Sequence, residues 1–111
     1  KVFPFEGDNL IYLHCVSTYP AMLEDVHMPS FGDNGFLGYS DHAPGIAACL
    51  YAVSRGARFL EKHFTLSTSN QRPTEKAHLG SMDTDDLRQL RILADDLSRL
   101  HCGETDAEGA R

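Results

Sequence analysis

Five side chains able to bind a metal, move a proton or hold a ligand fall near the ends of three apolar segments: Ser17, Ser40, His42, Glu61 and His63. Side chains alternate between the two faces of a strand. Read as strands, these segments place Ser40 with His42 on one face. Glu61 and His63 share a face with Phe59 and Thr65, and Ser17 lies on the face of Leu13 and Cys15. All five polar groups sit toward the C-terminal ends of their segments, where α/β sheets and barrels bind ligands. Neighbouring parallel strands lie about 4.8 Å apart, and an imidazole nitrogen binds zinc at about 2.1 Å. His42 and His63 can therefore share one divalent ion. Two histidines with open positions suit a Lewis acid that holds a substrate oxygen. Glu61 then either binds a metal-bound water or orients a sugar hydroxyl. The bland alternative is that each histidine caps a helix or bonds a loop carbonyl, and spacing alone leaves both readings open.

The elements that must position these groups follow from the patterning. Leu10 to Val16 is a near-continuous apolar run, as in a strand buried on both faces. A long segment from Ser17 to Asn34 follows, with a short helical turn predicted near Ala21 to Val26. Phe36 to Ser40 reads as a second strand. Asp41-His42-Ala43-Pro44 opens a helix that covers about Gly45 to Arg55, with Pro44 acceptable in its first turn, and Ile46, Cys49, Leu50 and Val53 share one face. Gly56 supplies its C-terminal cap. Arg58 to Thr65 is a third strand. Ser81 to Asp86 begins a last helix, its carboxylates matching the positive end of the dipole. Leu87, Leu90, Leu93, Leu97 and Leu100 form a stripe read as core packing. Residues 1–102 are read as one unit, and 103–111 as a disordered tail. The order predicts an α/β protein with parallel strands, the second and third adjacent through a right-handed crossover.

Other residues receive structural readings. His14 falls on the face opposite Ser17 and reads as a satisfied core histidine. Cys15 reads as a small buried apolar residue. Asp41 reads as a helix-start residue or an outer partner of the site. His27, His78 and His101 are surface residues by default. Tyr19-Pro20 is either a turn or an aromatic wall of a sugar site.

The 111 residues carry a net charge of −6, from ten Lys and Arg against sixteen Asp and Glu. No basic surplus exists to neutralise a nucleic-acid backbone. No apolar run approaches the roughly 20 residues that span a bilayer. Three cysteines without close pairing predict reduced thiols and a cytoplasmic protein.

Three blocks resemble the sialic-acid synthase family, which includes N-acetylneuraminate, legionaminate and pseudaminate synthases. They are Leu13-His14-Cys15-Val16-Ser17-Thr18-Tyr19-Pro20, then Gly38-Tyr39-Ser40-Asp41-His42, then Gly56-Ala57-Arg58-Phe59-Leu60-Glu61-Lys62-His63-Phe64-Thr65-Leu66. The resemblance implies a (β/α)8 TIM barrel, of which this chain supplies about the last three βα units. It implies attack of phosphoenolpyruvate C3 on the aldehyde of an N-acyl amino sugar, with water adding at C2 and phosphate leaving. It implies a Mn²⁺ or Mg²⁺ ion held by His42 and His63, with Glu61 beside the metal. Ser17 and Ser40 match contacts to phosphoenolpyruvate, and Tyr19 a residue of the sugar site.

The chain departs from the family in two places. Where the family often has Gly-Pro-Asp, this chain has Arg72-Pro73-Thr74-Glu75, so Glu75 is expected to stand in one residue late as the sugar contact. The stretch from Val26 to Phe36 is too short for the usual barrel helix. The family's phosphate-binding lysines and its C-terminal antifreeze-like domain have no counterpart in these residues. The isolated chain is therefore expected to be inactive, and to form a homo-oligomer or to associate with the remaining barrel strands through its open sheet edge. Two other readings are another phosphoenolpyruvate-using or aldolase-type barrel enzyme, and a non-catalytic βα module binding metal or sugar.

Overall fold

The computed structural model describes residues 10–18, 20–32, 35–66 and 80–109, with side chains described as far as 103. Three parallel strands, β1 (Tyr12–Cys15), β2 (Phe36–Asp41) and β3 (Phe59–Lys62), form one sheet in that order. Gly38 pairs with Leu13 on one side and Phe59 on the other; Ser40 pairs with Cys15 and Glu61. The expected adjacency of the second and third strands is therefore observed. A 3-10 turn at Leu23–Asp25 stands where the short helical turn was expected. The described part of the stretch from Val26 to Phe36 contains no helix.

Helix α1 spans Ala47–Ser54 and helix α2 spans Thr84–Gly109. The start of α1 differs from the sequence reading, which had placed Pro44 in its first turn. Gly45 adopts φ +76°, a left-handed conformation that interrupts a right-handed helix, so the helix begins beyond it. Its end is as expected. Gly56 takes φ +99°, donates to Val53 O, and is followed by Ala57 N–H on Ala52 O. Those two bonds are a Schellman cap. Helix α2 starts with a reciprocal cap: Asp86 N–H donates to Asp83 Oδ1 at 2.9 Å, and Asp83 N–H donates to Asp86 Oδ2 at 3.1 Å. The tail expected to be disordered from Gly103 is instead helical through Gly109.

The core lies on one side of the sheet. Tyr39 packs with Ala21, Val26, Phe31, Ala43, Ala48 and Ala52. Alanines on α1 bring its backbone close to β2, and the buried face is Ala48, Cys49 and Ala52 rather than the Ile46-Cys49-Leu50-Val53 face expected. In the leucine stripe of α2 only Leu90 is fully buried; Leu87, Leu93 and Leu100 are exposed. The stripe is thus only partly consumed by packing among the described residues. The other face of the sheet carries Leu13, Cys15, Gly38, Ser40, Phe59 and Glu61, with Cys15, Phe59 and Glu61 open to solvent.

Candidate functional site

The polar groups gather where β2 and β3 end on the open face. Strand alternation sends Ser40 and Glu61 to the same side, and their register pairing sets them directly opposite. Ser40 Oγ donates a hydrogen bond to Glu61 Oε1. His42 and His63 each follow the last paired residues of their strands. Their ring centroids lie 6.1 Å apart with the rings tilted by 51°. His42 is buried, and its Nδ1 meets Val16 O at 2.8 Å. A carbonyl only accepts, so Nδ1 carries the proton and the lone pair of the neutral ring sits on Nε2.

Other candidates fall as follows. Ser17 is exposed, at the end of β1, with Cys15 Sγ 3.9 Å from its hydroxyl. Cys15 is a correction: it is exposed rather than buried, and its sulfur lies 3.6 Å from His42 Nδ1. Its alternation on β1 sends it to the open face, which no described element covers. His14 is a satisfied histidine as expected. Its Nε2 donates to Val26 O at 3.0 Å, and its ring stacks on Tyr39 with Phe36 at its edge. His27 and His101 are exposed. Tyr19, Glu75 and His78 lie outside the described residues. Among the described residues, no set of three or more His, Cys, Asp or Glu is arranged to hold a metal; the two histidines stand as a pair.

Beneath this site, on the helix side, lies a second group that sequence reasoning identified only in part. Asp41 was read as a helix-start or outer residue, and it does accept the Ala43 N–H at 3.1 Å. It is also fully buried and ion-paired to Lys62 at 2.8 Å. Tyr39 Oη donates to it at 2.8 Å, and the Cys49 thiol lies 3.5 Å away. Burial first, then Asp41's negative charge, push the Cys49 thiol up to about 12. Burial and the hydrogen bond to Asp41 raise the Tyr39 phenol well above its ordinary range. The readable signal for Lys62 was parity: residues 41 and 62 both point away from the open face, so their charges meet inside.

Residues 4–103 match the NeuB family. The chain belongs to the NeuB family. It is 43% identical over 98 residues to the N,N'-diacetyllegionaminic acid synthase of Legionella pneumophila, a match covering 80% of this chain and 27% of that protein. It is 36% identical to a pseudaminic acid synthase of Campylobacter jejuni, covering 77% of this chain and 25% of the relative. Human N-acetylneuraminate-9-phosphate synthase is 34% identical, over 74% of this chain and 24% of its own length. The crystal structure of the N-acetylneuraminic acid (sialic acid) synthetase of Leptospira borgpetersenii in complex with citrate superposes with a TM-score of 0.70 at 32% identity. That match covers 81% of this chain and 32% of the synthetase chain. The NeuB-family chain thus spans about a quarter of the length of these curated relatives. No helix among its described residues is long and apolar enough to cross a membrane.

Proposed function

We propose that this chain is the metal-bearing part of a cytoplasmic sialic-acid-type synthase that condenses phosphoenolpyruvate with an N-acyl amino sugar. The observation that carries the proposal is the pairing of His42 and His63 at 6.1 Å beside the Ser40–Glu61 hydrogen bond. With metal–nitrogen bonds of about 2.1 Å and roughly another ångström from nitrogen to ring centre on each side, that separation is within reach of one ion. The donor set fits: His42 keeps its proton on Nδ1 through Val16 O, the outer hydrogen bond that orients a ligand imidazole. A bound Mn²⁺ or Mg²⁺ supplies Lewis acidity toward the sugar aldehyde.

The chain's own residues do the rest of the work assigned to them here. Ser40 donates to Glu61 and so fixes that carboxylate toward the open face. There Glu61 accepts a proton from a water or holds a sugar hydroxyl. Ser17 offers its hydroxyl to phosphoenolpyruvate, Ser40 does so by turning its one proton from Glu61 to the ligand, and Tyr19 and Glu75 contact the sugar. The three parallel strands with helices on one side support a place as the last three βα units of a (β/α)8 barrel. On this reading the open face looks into the barrel, the remaining strands complete it by association, and the isolated chain is inactive.

Titration with Mn²⁺ followed by calorimetry tests the proposal. Binding by the parent, lost in both His42→Ala and His63→Ala, is expected. Equal affinity in all three proteins refutes the metal assignment.

A further inference from the structure

We infer that Asp41 and Lys62 are positioning residues that hold His42 against His63 from the opposite side of the sheet, an inference that rests on the metal reading above. The paired register of β2 and β3 ends at Asp41 opposite Lys62, so His42 and His63 stand one residue beyond the ladder. A side-chain tie across that gap comes from Lys62. Its ammonium donates to Asp41 Oδ2 at 2.8 Å and to Ala43 O at 2.6 Å. It thereby grips the residues on both sides of His42 from the residue next to His63. Asp41 returns the constraint by accepting the Ala43 N–H at 3.1 Å and the Tyr39 hydroxyl at 2.8 Å.

Other bonds fix each histidine separately. Ala21 N–H donates to His42 O and Met82 N–H to His63 O, both at 2.9 Å. Neither of those bonds joins the two strand ends to each other. The exposure of the two side chains is 2% for Lys62 and 0% for Asp41, so the pair is desolvated. A buried ion pair roughly breaks even against apolar side chains of similar volume. Stability is therefore a weak reason to keep it, and a defined geometry is a better one. Alternation turns both charges away from the open face, so they act through the backbone and touch no ligand.

The test is Mn²⁺ affinity, by calorimetry and by the electron paramagnetic resonance of bound Mn²⁺, in the intact protein. Asp41→Leu/Lys62→Met removes both charges together but also the acceptor of the Tyr39 hydroxyl and the Ala43 N–H, so it is expected to melt cooperatively, below the parent. Its Mn²⁺ affinity is expected to fall about 10–100-fold, the usual effect of losing an outer partner of a metal site. A folded double variant whose affinity stays within about threefold of the parent overturns the inference. If that variant does not fold, Lys62→Arg decides. A guanidinium keeps the charge, but its planar fork does not reproduce the two bonds made by one ammonium. Weakened binding supports the clamp, and parental affinity overturns it. His42→Ala and His63→Ala run alongside. Binding that survives both overturns the metal reading and this inference with it. Binding lost in both but kept in the clamp variants overturns the clamp alone.

Discussion

Gly38→Ala is expected to unseat the sheet and, through it, the site. Gly38 faces the open side between Leu13 and Phe59. A Cβ built there would lie 2.7 Å from Leu13 Cδ2 and 2.7 Å from Phe59 Cβ, and would also overlap the Phe59 carbonyl oxygen. Carbon atoms in contact prefer about 3.5–4.0 Å, so each contact is short by roughly 1 Å. Leu13 can swing its side chain away. The Phe59 carbonyl belongs to the β3 backbone and moves only if β2 and β3 part. Overpacking a core position typically costs about 1–3 kcal/mol, and a backbone obstacle places this substitution near 3 kcal/mol. For a domain of about 100 residues that corresponds to a thermal midpoint lower by roughly 12 °C or more. Because Ser40 and Glu61 form the next pair on the same face, Mn²⁺ affinity is expected to fall with it. Circular-dichroism melting measures the first effect, and calorimetry the second. Gly103→Ala is the control: nothing lies within 4 Å of its added Cβ, and it sits within α2. There the same chemical change is expected to stabilise by about 1 kcal/mol. A Gly38→Ala protein melting within about 2 °C of the parent, when about 12 °C is expected, refutes the reasoning.

Lys62→Met alone leaves the Asp41 carboxylate buried without its ion partner. Urea unfolding is expected to show a loss of about 3–5 kcal/mol, and one under about 1 kcal/mol would contradict the desolvated pair. Asp83→Ala removes the α2 N-cap and is expected to cost about 1 kcal/mol in the same assay. A thiol reagent at pH 8 is expected to modify exposed Cys15 and Cys102 quickly and Cys49 only on unfolding; rapid modification of Cys49 would contradict its burial. Since the folded protein raises Cys49 to about 12 from 9.0, its contribution to stability is present below pH 9 and declines as pH rises toward 12. Melting midpoints measured across that window check the sign.

Where side-chain parity was the only information needed, the residues were legible. Ser40, His42, Glu61 and His63 met on one face because alternation along two parallel strands leaves little freedom. Gly56 was legible because a left-handed cap has few other occupants. The start of α1 was not, since Pro44 suits a helical first turn and nothing local announced that Gly45 would take a positive φ. Residues 103–111 read as a disordered tail from their place at the chain end alone, a rule blind to a helix that continues to Gly109. Cys15 was misjudged because an apolar run says that a strand packs, without saying on which side the packing is supplied. The Asp41–Lys62 pair was half visible. Single charges read as solvated until the neighbouring strand is known, and only the register brings them together.

The pairing of Phe64 with Met82, with Thr65 N–H on Met82 O and Met82 N–H on His63 O, bears on which stretch of the chain is free to vary. It rivets together the points where the chain leaves β3 and where it comes back before α2, right beside His63. The sequence between those rivets, which includes Thr74 and Glu75, can be exchanged while its anchor points stay in place. Chimeras that import this stretch from a legionaminic or pseudaminic acid synthase are thus expected to fold and melt close to the parent, and a chimera that melted far below it would show the rivets to be weaker than drawn.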